Sequence, residues 1–92
     1  MKLSDKVALV TGSVRGLGFE IVQAFAGEGA RVAICDLAQS DADQAVAKLG
    51  LPAARVVGIE ADVSSERDVN DLFLRTIEKF TRLDVLVNNA GF

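Results

Sequence analysis

The stretch VALVTGSVRGLG, Val7 to Gly18, joins a short apolar run to a threonine and three glycines spaced G-x3-G-x-G. An apolar run of this length bounded by turn residues predicts a strand buried on both faces. Beyond the glycines the period changes. Leu17, Ile21 and Phe25, with Val22 and Ala26, recur at helical spacing, and Gly27 and Gly29 end the pattern. The glycines therefore occupy a strand-to-helix turn, where each has a mechanical reason. Gly12 allows the tight turn, Gly16 removes a side chain where a ligand's phosphates would approach, and Gly18 lets the helix pack close to the sheet. The helix, starting near Leu17, offers its N-terminal amides and the positive end of its dipole to an anion. A pyrophosphate fits that description, although a glycine-rich turn can also serve packing alone.

Working outward, Val32–Cys35, Arg55–Ile59 and Val85–Val87 repeat the buried-strand signature. Ala42, Ala45, Val46 and Leu49 form a second helical stripe closed by Gly50 and Pro52. Val69, Leu72, Phe73, Ile77 and Phe80 form a third, with Ser65 and Asp68 spaced as a capping box at its start. The order β-α-β-α-β-α-β with short connections calls for an α/β fold, a parallel sheet joined by right-handed crossovers. No repeat, linker or low-complexity tract divides the chain, so residues 1–92 are expected to form one unit.

Composition narrows the function. The chain has 92 residues, half of them hydrophobic, and a net charge of −3. A domain of this size buries only about 60–65% of its unfolded surface, so uncovered faces matter. The basic residues are scattered, which leaves no stripe to track a phosphate backbone, and a nucleic-acid partner is not expected. No apolar run approaches the roughly 18 residues of a membrane span, and MKLSDK lacks a signal-peptide core, so the expectation is a cytoplasmic protein. The single cysteine, Cys35, lies between Ile34 and Asp36 and reads as a small buried hydrophobe. No Cys/His cluster suggests a metal site.

The second strand carries the next clue. It ends at Asp36, eighteen residues after Gly18, where a dinucleotide fold places the carboxylate that accepts hydrogen bonds from the adenosine ribose. A P-loop is disfavoured because no lysine follows the glycines. With TGSVRGLG, Asp36, the ADV of Ala61–Val63 and the NNAG of Asn88–Gly91 in this order, the chain resembles the short-chain dehydrogenase/reductase (SDR) family along essentially its whole length. The resemblance implies a Rossmann-like sheet of strand order 3-2-1-4. It also implies that Gly12, Ser13, Arg15, Gly16, Leu17 and Gly18 hold a pyrophosphate. Asp36 and Leu37 would hold the adenine ribose, Asp62 and Val63 the adenine edge, and Asn89, Ala90 and Gly91 the ribose region of the cofactor. Read without the family, Asp62 is a loop or capping acid, and Asn88 and Asn89 bond nearby backbone.

The carboxylate of Asp36 would repel the 2′-phosphate of NADP and accept from the 2′-hydroxyl of NAD. Arg15 argues the other way, since a basic residue in the glycine motif of the resembled family can neutralise that phosphate. Asp36 is weighted more heavily, and NAD is the expected cofactor. The resemblance places the family's catalytic serine, tyrosine and lysine beyond the NNAG segment. The 92 residues contain no tyrosine and no histidine, so no catalytic residue is assigned and turnover by this chain alone is not expected. The reading is an NAD-binding part of an oxidoreductase that interconverts an alcohol and a carbonyl. The Val85–Val87 strand would form an exposed sheet edge, which suggests a homo-oligomer. An assembly module with a vestigial nucleotide pocket is the alternative.

Overall fold

A computed structural model describes residues 2–89. Along the chain run β1 (Val7–Thr11), α1 (Gly16–Gly27), β2 (Arg31–Asp36) and α2 (Gln39–Leu49), then a 3-10 turn (Ala53–Arg55), β3 (Val56–Glu60), α3 (Glu66–Phe80) and β4 (Val85–Val87). The strands form one parallel sheet in the order β3-β2-β1-β4, the order the family resemblance implies. Arg55, read from the sequence as the first residue of the third strand, instead closes the 3-10 turn. Its guanidinium bonds the carbonyls of Ala26 and Ala30, both at 2.9 Å, and so ties that turn to the end of α1.

All five residues of β1 are buried because the sheet is covered on both sides, and the strand period of two divides them between the layers. Ala8 and Val10 join Val32, Ile34 and Val56 in a cluster sealed by Val22 of α1 and Ala45 of α2. Val7 and Leu9 face the other way with Ala33, Cys35 and Ile59, and are sealed by Leu72 and Phe80 of α3. Two helices thus cover one face and one helix the other.

The α3 stripe differs from its sequence reading at two positions. Ile77 is 46% exposed, whereas Thr76 is buried and its hydroxyl donates to the Leu72 carbonyl at 2.8 Å. The capping box is only half formed. Ser65 Oγ accepts from the Asp68 amide at 3.2 Å, but the Asp68 carboxylate accepts from the Asp62 amide at 2.9 Å. Ser65 instead donates its own amide to the Asp62 carbonyl, so the reciprocal half of the motif is taken up by the preceding turn.

β4 is short and is anchored from its start. Asp84 donates its amide to the Val7 carbonyl at 2.9 Å, and its carboxylate accepts from the Val7 amide at 2.8 Å. Among the described residues no strand pairs with the outer edge of β4, and Leu86 is 50% exposed. A shallow apolar groove of about 240 Å³ runs beside it, lined by Leu9, Val69, Leu72, Phe73 and Leu86.

Candidate functional site

Parallel pairing brings the ends of the strands to one rim. Thr11 lies beside Cys35, Asp36 beside Glu60, and Val10 beside Val87. The turn from Thr11 to Gly16 crosses this rim and delivers the first turn of α1 to it. Gly12 and Gly16 adopt φ of 60° and 58°, a region costly for residues with a side chain. A Cβ at Gly16 would meet nothing within 4 Å, so its backbone is open to an approaching group. At Gly18 a Cβ would overlap the Gly12 carbonyl oxygen and come within 2.6 Å of Asn89 Nδ2. The turn closes only because that side chain is missing.

Asn89 is the other half of this contact. Its Nδ2 donates to the Gly12 carbonyl at 3.2 Å, and its backbone amide donates to Thr11 Oγ1 at 3.0 Å. Thr11 Oγ1 in turn donates to Asn88 Oδ1 at 3.2 Å. The segment after β4 is thereby stitched to the glycine turn. Ala90 and Gly91 lie outside the described residues.

Ser13 is fully buried. Its amide donates to the Cys35 carbonyl at 3.3 Å, and its hydroxyl accepts from the Cys35 amide at 3.1 Å. The side chain therefore extends the β1–β2 pairing across the turn and does not reach the rim. Burial, followed by the charges of Asp36 and Asp68, pushes the Cys35 thiol up to about 11. It stays protonated at neutral pH and is a core residue.

Arg15 occupies the N-cap of α1 without a side-chain cap bond, and the first turn of α1 carries no acid. The orphan amides of that turn and the dipole behind them therefore face outward. Leu17 and Leu37 are 64% and 69% exposed on either side of the rim. The Asp36 carboxylate accepts a long bond, 3.5 Å, from the Ala38 amide and keeps further acceptor sites. Asp62 is exposed, and its Oδ1 accepts from the Ser64 hydroxyl at 2.6 Å and the Ser64 amide at 2.9 Å. Those two bonds hold its carboxyl below the usual carboxylate range. Val63 beside it packs against the α3-side core. The rim can thus bind an anion at one helix start and accept hydrogen bonds from hydroxyl groups at Asp36.

The short chain dehydrogenase model matches residues 6–92. This chain belongs to the short-chain dehydrogenase family. It is 42% identical over 91 residues to galactitol 2-dehydrogenase of Agrobacterium fabrum, covering 99% of this chain and 34% of that protein. To L-fucose dehydrogenase of Bos taurus it is 43% identical, covering 99% of this chain and 32% of the other. Among solved structures it superposes, with a TM-score of 0.89 and 37% identity, on the 3-ketoacyl-(acyl-carrier-protein) reductase of Brucella melitensis complexed with NADH, covering 98% of this chain and 36% of that one. The chain spans about a third of the length of the curated relatives it matches. The NADH complex supports nicotinamide dinucleotide binding in the family, and the described helices include none long and apolar enough to cross a membrane.

Three residues at this rim escaped the sequence reading as site residues. Thr11 stands in the motif itself, but the groups it bonds, Asn88 Oδ1 and the Asn89 amide, follow β4, 77 and 78 residues along the chain. Asp41 pairs with Arg15 at 3.4 Å from the first turn of α2. Gln39 fastens that turn to β3 through the Gly58 carbonyl and the Glu60 amide, both at 2.9 Å. Their spacings of 26 and about 20 residues follow no local pattern.

Proposed function

We propose that residues 1–92 form a dinucleotide-binding half-domain that binds NAD(H) at the rim for an oxidoreductase interconverting an alcohol and a carbonyl. The observation that carries this reading is the start of α1, which has no side-chain cap and no first-turn acid and lies beside the open backbone of Gly16. Gly12, Arg15, Gly16, Leu17 and Gly18 would hold the pyrophosphate through backbone amides, and Ser13 would hold the turn in place. Asp36 would accept from the ribose hydroxyls with Leu37 against the sugar, and Asp62 and Val63 would border the adenine. Asn89, Ala90 and Gly91 would border the second ribose, the last two by sequence motif alone.

When bound, the nicotinamide ring supplies the hydride acceptor or donor. These 92 residues contain no tyrosine or histidine, so we assign them cofactor binding and orientation and no proton transfer. Like charge at Asp36 disfavours a 2′-phosphate, which makes NAD the preferred cofactor. Calorimetric titration with NAD tests the assignment, the expected outcome being saturable binding that Asp36→Ala weakens about tenfold or more, the scale of a hydrogen bond to a charged group. Binding unaffected by Asp36→Ala would contradict it.

Among the described residues no strand pairs with the outer edge of β4, and Leu86 is exposed there, which supports self-association of the chain through this strand. Light scattering at about 100 µM is expected to give a mass above that of one chain, and a monomer would contradict this part of the proposal.

A further inference from the structure

We propose that Asp41 biases the choice between NAD and NADP further toward NAD by engaging Arg15, an inference that rests on the dinucleotide site proposed above. Arg15 Nη2 lies 3.4 Å from Asp41 Oδ2, so its guanidinium spans from the N-cap of α1 to the first turn of α2. Asp41 follows Asp36 by five residues, and the turn between them is where the adenosine ribose would sit. A phosphate on the ribose 2′-oxygen would therefore meet Asp36 and Asp41 as like charges and Arg15 as the neighbouring cation. A guanidinium grips phosphate and carboxylate through the same fork of donors, so Asp41 and the 2′-phosphate compete for one group.

The surroundings make Asp41 the competitor. The Gln39 amide is engaged by Asp43, the Gly58 carbonyl and the Glu60 amide, so neither Gln39 nor Asp43 is turned to Arg15. The N-terminal dipole of α2 favours a carboxylate at Asp41. A 2′-hydroxyl needs nothing from Arg15, so the pair is neutral toward NAD and selects against NADP. Both side chains are accessible, 76% for Arg15 and 39% for Asp41, and exposed pairs are weak. Asp41 therefore biases the choice and does not block NADP. It is a positioning residue that acts through Arg15.

The test is calorimetric titration of the 92-residue chain with NAD and with NADP at low ionic strength, using Asp41→Asn, Arg15→Ala and the double variant. Asp41→Asn is expected to raise the NADP-to-NAD affinity ratio about threefold, the scale of an exposed ion pair, with NAD affinity unchanged. In the Arg15→Ala background the same substitution is expected to raise the ratio by clearly less, because only the direct repulsion between Asp41 and the phosphate is then relieved. An unchanged ratio in Asp41→Asn, with NAD still bound, overturns this inference alone. An equal rise in the Arg15→Ala background also overturns it, because Asp41 would then act by direct repulsion. Binding of neither nucleotide overturns this inference and the dinucleotide site together.

Discussion

The starts of α1 and α3 follow strands of the same sheet and reach the same rim, yet the chain finishes them in opposite ways. At the N-cap, α1 has Arg15, whose side chain makes no cap bond, and α3 has Ser65, whose hydroxyl accepts from the third helical amide. At that third position α1 has Gly18 and α3 has Asp68. The first turn of α3 carries Glu66 and Asp68, which offset the dipole, whereas the first turn of α1 carries no acid. One helix start satisfies itself. The other leaves its amides and its positive end to a group from outside, and glycine keeps the approach clear. The difference shows that the free helix start is a property of residues 15–18 and not of the fold, since the same sheet supports both.

The comparison can be broken by substitutions at matching positions. The largest effect is expected for Gly18→Ala, because its methyl group would overlap backbone at Gly12 and crowd the Asn89 amide. Overpacking of this kind costs about 1–3 kcal/mol, so the urea midpoint should fall and NAD binding should be lost with it. Arg15→Asp comes next. It gives α1 a capping acid like the oxygen that Ser65 gives α3, so NAD affinity should drop more than about tenfold while stability moves by less than about 1 kcal/mol. Ser65→Ala should show the reverse, about 1 kcal/mol of lost stability by thermal unfolding with NAD affinity unchanged.

A smaller effect is expected at the opposite end of the sheet. The Arg82 guanidinium, 2.6 Å from Asp84, and then the Val7 amide hold the Asp84 carboxyl below its ordinary value. A carboxylate depressed in the folded state adds stability that is full above the unfolded value of about 4 and lost as pH falls through the folded value. Asp84→Asn should therefore flatten the acid limb of stability against pH, measured by urea unfolding, and leave nucleotide binding at neutral pH intact.

Much of this contrast was legible in the chain. TGSVRGLG reads as an open strand-to-helix turn because the reasons for its glycines are local, and the continuous apolar runs of β1 and β2 follow from burial on both faces. Ser65 was legible as a cap for the same reason. The Asp68 carboxylate departs from the capping box because its amide partner, Asp62, is supplied by the turn after β3 and not by the helix. The resemblance assigns Ser13 to the pyrophosphate turn, and what the sequence does not display is that the β1–β2 register puts the Cys35 amide within 3.1 Å of its hydroxyl. Gln39 is a plain polar residue at a helix start until the fold lays its amide along β3. There it pairs with the Gly58 carbonyl and the Glu60 amide, groups on the side of that strand away from β2, and so covers one sheet edge. The other edge, at β4, has no such cover among the described residues. Partners that are distant in sequence depend on register and crossover geometry, which residue patterns do not encode locally.

The most direct test of the open helix start is the backbone amide spectrum of the isotope-labelled chain during titration with NAD. The account predicts that the amide resonances of Gly16, Leu17 and Gly18 shift progressively and saturate, while those of Glu66, Arg67 and Asp68 stay in place. Shifts confined to the start of α3, or saturable binding that leaves the three α1 amides unmoved, would contradict it.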